Sequence, residues 1–99
     1  MKEPEDCRDI EDVREAIDAL DREILRLLGR RARHVAAAAR FKTDEESVRA
    51  PERQRTMLAH RRRWAADEDL DPDFVEDLYR DIVTHFVRRE MDRWEADRG

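Results

Sequence analysis

Along the first third of the chain, apolar side chains recur at alternating steps of three and four: Ile10, Val13, Ile17, Leu20, Ile24 and Leu27. That spacing predicts an amphipathic helix starting near Asp9 or Ile10 and running to about Phe41, with only Gly29 inside it. Residues 43–51, "TDEESVRAP", break the pattern with small and polar side chains and predict a loop. Pro51 then stands at or near the first position of a second helix, since proline's missing N–H costs nothing there. This helix is expected to reach about Ala66, with Met57, Leu58, Trp64 and Ala65 on its inner side. In "DEDLDP" Asp71 is placed to N-cap a third helix opened by Pro72. That helix is expected to run to about Trp94 and carries Phe74, Val75, Leu78, Ile82, Phe86 and Met91. The pattern predicts an all-α fold, one domain over residues 1–99, with three helices.

A first helix from Ile10 to Phe41 would be close to 50 Å long at about 1.5 Å per residue. A compact chain of this size has a radius of gyration of only roughly 13 Å. The remaining residues therefore cannot cover the helix's apolar seam, and the expected remedy is a second copy, giving an intertwined homodimer.

Composition narrows the class. Charged residues make up 47% of the chain and mean hydropathy is −1.02, values also met in disordered segments. The regular apolar spacing argues for a folded protein instead. With 21 basic residues against 26 acidic, the net charge of −5 opposes nonspecific binding to nucleic acid or an anionic membrane. One cysteine, Cys7, excludes an internal disulfide, and no apolar run is long enough for a signal peptide or a membrane span. The expectation is a cytoplasmic protein.

Polar groups in apolar slots carry the chemical interest. With Ile10 at heptad position a, Arg31 also falls at a, where aliphatic packing is expected. Burying a guanidinium without a partner is costly, so Arg31 must snorkel, pair with a carboxylate or meet a ligand. A coiled-coil specificity device or an internal salt bridge answers the same need. On the third helix Glu90 interrupts the row Ile82, Phe86, Trp94 with the opposite sign. Either the row has turned to the surface there, or Glu90 pairs with Arg31 or Arg89, or it faces a ligand. Arg53 lies one turn ahead of Met57 and reads as a solvated charge or a third ligand group.

Arg14 and Lys42 share the flanking e phase of the first helix yet lie about 42 Å apart along it. Arg31 and Lys42 are separated by only ~16 Å. If two copies of the helix cross antiparallel near Ile24, Arg14 of one chain reaches the Arg31–Lys42 stretch of the other. Two symmetric pockets result, suited to a small dianion.

Other signals are weaker. In "HRRRW", residues 60–64, Trp64 is expected to face inward and the arginines outward, a solvated face rather than a nucleic-acid patch. His34, His60 and His85 lack metal-ligand spacing, and Asp81 with His85 supplies only two donors, so no metal is expected. Cys7 has no activating neighbour in sequence. No Ser-His-Asp set or glycine-rich phosphate loop occurs, and no cofactor is implied.

"PEDC", "DVREAID", "LGRR", "ARFK", "APERQRTML" and "FVEDLYRDIV", taken in register over nearly the whole chain, resemble the all-helical chorismate mutase family. Within it they are most similar to the isochorismate pyruvate lyase branch, which also has chorismate mutase activity. The resemblance implies three-helix chains in an intertwined dimer with two composite active sites. It implies that Arg14 of one chain and Arg31 of the other bind substrate carboxylates. It assigns Lys42 to the ether oxygen and a carboxylate, Arg53 to holding the ligand, and Glu90 to the ether side. Lys42 and Glu90 are thus the implied catalytic pair. The lyase and many mutases carry glutamine at the Glu90 position, while some mutases carry glutamate. An ionised Glu90 would repel a dianion, so the departure implies that substrate binds best with Glu90 protonated. The implied reaction is pericyclic: isochorismate loses pyruvate to give salicylate, or chorismate rearranges to prephenate. A dedicated mutase, including one acting on an amino-substituted chorismate, fits the same cations. A non-catalytic helical dimer or partner-binding module would instead aim Arg31 and Lys42 at protein carboxylates or solvent.

Overall fold

The computed structural model describes residues 2–42, 44–45 and 49–98, the side chain of Arg98 excepted. It is all-helical, with no strand among the described residues. Among the described residues the long helices are, in order, α1 (Ile10–Ala38), α2 (Pro51–Asp67) and α3 (Pro72–Arg98). Short 3-10 turns lie at Pro4–Asp6 and Ala39–Phe41. The chain divides into two compact units, one ending at Val35 and the other beginning at Ala36.

In the first unit, Asp9 caps α1. Its Oδ1 accepts from the Asp12 N–H at 2.8 Å, satisfying one of the donors that a helix start leaves open. Asp12 reaches back in turn: its Oδ2 accepts from the Arg8 N–H at 3.0 Å and from Lys2 Nζ at 2.9 Å. This reciprocal arrangement, a variant of the capping box, ties the N-terminal segment to the helix. The Arg8 N–H and then Lys2 hold the Asp12 carboxyl below its ordinary value, and Asp12 raises Lys2.

No residue of α1 is buried. Ile10, Val13, Ile17, Leu20, Ile24 and Leu27 form the expected stripe, yet each is exposed, Ile24 by 54%. The end of the helix differs from the expectation by three residues. At Ala39–Phe41 the last turn tightens to 3-10 geometry, a common way to satisfy terminal carbonyls. The backbone turns extended at Lys42 (φ −101°, ψ 129°), whose N–H still bonds to the Ala39 carbonyl at 3.2 Å.

The expected loop at 43–51 is described only in part, with Thr43 and residues 46–48 outside the described residues. Glu45 and Arg49 have helical backbone rather than loop conformation. They pair at 3.0 Å in the one-turn register that helical spacing favours. Ala50, immediately before α2, is left-handed (φ 41°, ψ 61°), a conformation that costs a residue with a Cβ about 1–2 kcal/mol.

In the second unit α2 packs on α3, and the buried residues are Met57, Leu58, Ala65, Val75 and Met91. Two expectations about this packing are corrected. Trp64 is 53% exposed, because Ala65 takes the buried phase. Arg61 does not splay outward; it is half-buried, its guanidinium 4.6 Å from the Trp64 ring centre and 5.5 Å from that of Tyr79. A planar cation over aromatic faces is a favourable place for an arginine beside a small core. Phe74 and Leu78 are also exposed.

The α2–α3 turn is specified on both sides. Left-handed Asp69 (φ 61°) donates to the Ala66 carbonyl, and the Leu70 N–H donates to Ala65 at 2.8 Å, a Schellman closure. Asp71 Oδ1 then accepts from the Asp73 N–H at 2.9 Å, the anticipated N-cap. Asp71→Ala is expected to cost about 1 kcal/mol of stability, read as a lower denaturation midpoint with unchanged m-value. No loss on that substitution would refute the cap's role.

Candidate functional site

Lys42 follows the 3-10 turn at the end of α1, and its extended backbone takes the residue out of helical phase. On α3 Glu90 follows Ile82 and Phe86 at one-turn spacing, so the chain must either expose a carboxylate from an apolar row or neutralise it. The structure neutralises it. Lys42 Nζ donates to Glu90 Oε2 at 2.8 Å across 48 residues of sequence. Only 10% of the Glu90 side chain and 23% of the Lys42 side chain are exposed. Arg31 and Arg89 are the cations that helix spacing offers Glu90, and the structure instead sets Lys42 on it.

Both residues thus lie at one half-buried place in the second unit. Water competes less for this pair than for the largely exposed pairs elsewhere on the chain. Chemically, the pair offers a proton donor with fixed positive charge beside a carboxyl that accepts when ionised and donates when protonated.

The other nominated residues have different settings. Arg53 lies on the first turn of α2 and is exposed. Arg14 is exposed on α1, its Nη1 bound to Glu11 Oε1 at 2.8 Å one turn away. Such a pair is worth little in water and leaves the guanidinium available for exchange. Arg31 is half-buried on the same helix. Among the described residues, the Lys42–Glu90 bond joins two of the five.

Sequence reasoning missed the direct contact of Lys42 with Glu90. The usable signal was that Glu90 interrupts an otherwise apolar row and so calls for a cation. It also missed the carboxylate hub at Glu76, which binds both Arg62 and Arg80. There the i,i+4 spacing of Glu76 and Arg80 was visible, but the reach of Arg62 from α2 was not. Among the described residues, no cluster of three or more His, Cys, Asp or Glu could hold a metal ion. None of the described helices is long and apolar enough to cross a membrane.

Comparison with known proteins bears on this arrangement. A family model described as chorismate mutase type II matches residues 13–91, a span that contains all five nominated residues. Isochorismate pyruvate lyase from Pseudomonas aeruginosa is 46% identical over 99 residues, covering 100% of this chain and 98% of that protein. The T-proteins of Enterobacter agglomerans and Haemophilus influenzae are 33% and 35% identical over 82 residues, or 82% of this chain. The match covers only 22% of either T-protein.

If Lys42 and Glu90 are coupled as their distance requires, Lys42→Met, Glu90→Gln and the double substitution will not be additive in stability. The expected coupling is about 1 kcal/mol or more, measured by denaturant unfolding of all four proteins. Additivity within ~0.3 kcal/mol would mean the bond does not persist in solution.

Proposed function

The chain belongs to the chorismate mutase type II family, and on that premise we propose that it is an isochorismate pyruvate lyase with a secondary chorismate mutase activity. The observation that carries this reading is the full-length similarity to a protein named for that lyase reaction. The half-buried Lys42–Glu90 pair supports it from the structural side.

A second copy completes the site. The exposed aliphatic stripe of α1 supports this, because each half-exposed side chain of that kind gains roughly 1 kcal/mol on burial. In the dimer, Arg14 of one protomer joins Arg31, Lys42, Arg53 and Glu90 of the other around one dianionic substrate. The two carboxylates of isochorismate are held by guanidiniums, whose planar forks match carboxylate geometry. Clamping both ends selects the conformer in which the enolpyruvyl side chain folds over the ring, so its ordering precedes the chemical step.

The reaction then needs no nucleophile. The C–O bond of the ether breaks while a ring hydrogen passes to the side chain, releasing pyruvate and leaving salicylate. Negative charge grows on the ether oxygen as that bond lengthens, and the Lys42 ammonium stabilises it in place. For chorismate the same contacts serve the rearrangement to prephenate.

In the free protein Lys42 Nζ is bound to Glu90 Oε2. Substrate brings two negative charges and draws Lys42 to the ether oxygen, which would strand the carboxylate. The complex therefore forms best with Glu90 protonated, where it donates a hydrogen bond as a glutamine would. A single cysteine and the absence of disulfide chemistry support placing the enzyme in the cytoplasm.

Glutamate rather than glutamine at position 90 favours one second reading, a dedicated chorismate mutase. Incubation with isochorismate and with chorismate separately decides between them: salicylate release supports the lyase, and prephenate alone supports the mutase. In either case Lys42→Gln should lower kcat roughly 100-fold or more. A non-catalytic dimer would form neither product and would be indifferent to that change. Glu90→Gln, whose amide donates without needing a proton, should keep or raise activity at neutral pH. A large loss of activity in that variant would overturn the need for a hydrogen-bond donor at position 90.

A further inference from the structure

The second unit contains a groove whose lining does not include Lys42, Arg53 or Glu90. It lies between α2 and α3 and has a volume of about 510 Å³, within the roughly 300–1,000 Å³ typical of small-ligand sites. Leu58, nearly fully buried, gives it an apolar floor. Its polar walls are unequal in sign, with Arg49, Arg55, Arg62 and Arg80 against the single carboxylate of Glu76. Among the lining residues cations outnumber carboxylates, and each arginine is ion-paired with a carboxylate of the chain.

The internal ion pairs divide these arginines into two kinds. Glu76 fixes two of them. Arg80 donates to its Oε2 through Nε at 3.1 Å and Nη2 at 3.0 Å, and Arg62 Nη1 reaches its Oε1 at 3.3 Å and Asp73 at 2.8 Å. Glu76 is only a quarter exposed, so it holds the two guanidiniums in position as part of the wall. Arg55 and Arg49 are held loosely. Their partners Glu52 and Glu45 lie outside the groove lining, and both pairs are largely exposed, 69% and 92% for Arg55 and Glu52. Exposed pairs contribute roughly 0–1 kcal/mol, so an incoming carboxylate displaces them at little cost. A bidentate fork onto a ligand inside a concave, apolar-floored groove is the stronger arrangement.

We propose that the α2–α3 groove is a second anion site, taking a small organic dicarboxylate whose apolar body rests on Leu58 and whose carboxylates meet Arg55 and the Arg62–Arg80 wall. The site is separate in its residues from the substrate site and does not depend on the reaction assigned above. It has no group placed for chemistry, so its role is binding alone.

The probe is benzene-1,3-dicarboxylate, titrated into the full chain at constant ionic strength and followed by calorimetry and by the NMR signals of Ala59 and of the Arg55, Arg62 and Arg80 side chains. Saturable binding in the millimolar range or tighter is expected, with shifts at those residues. Arg55→Gln with Arg80→Gln should weaken it about tenfold, while Lys42→Gln leaves the groove signals within about twofold. Arg55→Gln alone, which breaks only an exposed pair, should weaken binding about threefold and guards against misfolding of the double variant. Benzoate should bind about tenfold more weakly than the dicarboxylate. The proposal is overturned by groove shifts that sodium chloride reproduces, by equal binding of benzoate, by affinity that survives the arginine substitutions, or by perturbation confined to Lys42 and Glu90.

Discussion

Ile10, Val13, Ile17, Leu20, Ile24 and Leu27 present a continuous aliphatic face along α1 while remaining exposed, and no residue of that helix is buried. A stripe of this regularity is stable only against apolar cover, since hydrocarbon left in water forfeits the main favourable term in folding. The buried residues, Met57, Leu58, Ala65, Val75 and Met91, belong to α2 and α3. The unmet demand of α1 is therefore the constraint around which the proposed dimer and its composite sites are built. In the proposed dimer, an arginine on that seam is tolerable because a doubly negative guest would neutralise it.

Within the second unit the decisive contact is electrostatic. α1 ends by tightening its last turn, and the extended backbone at Lys42 presents an ammonium to a carboxylate on α3. The pair satisfies two charges that would otherwise be costly in a half-buried setting. It also poises them, because the same ammonium that neutralises Glu90 in the free protein is the group suited to an ether oxygen gaining charge. Resting-state pairing and proposed catalytic role thus compete for one cation. The four arginines of the α2–α3 groove illustrate the contrasting use of charge: pairs near water are loosely held and exchangeable, and a shared carboxylate in the wall keeps two of them aimed.

Much of this was legible in the residues. The three- and four-step spacing from Ile10 to Leu27 specified α1, and Pro51, Asp71 and Pro72 marked where α2 and α3 begin. These are local signals, set by backbone sterics and by the donors a helix start leaves open, so they survive without knowledge of the neighbours. The oddity of Arg31 and Glu90 was likewise visible, since a charge in an apolar phase is a contradiction within one helix.

Contacts between helices were not legible. Lys42 and Glu90 stand 48 residues apart, and nothing in either helix's periodicity says which cation reaches which anion. Trp64 and Ala65 are adjacent, and only the way α2 lies against α3 decides that the small residue is buried and the large one exposed, with Arg61 set over its ring. The grouping of Arg62 and Arg80 on Glu76 has the same origin. Sequence alone determined the helices, their starts and the charged anomalies, because those follow from neighbours along the chain. Tertiary structure decided the partners of those charges, because pairing depends on how separate helices meet in space.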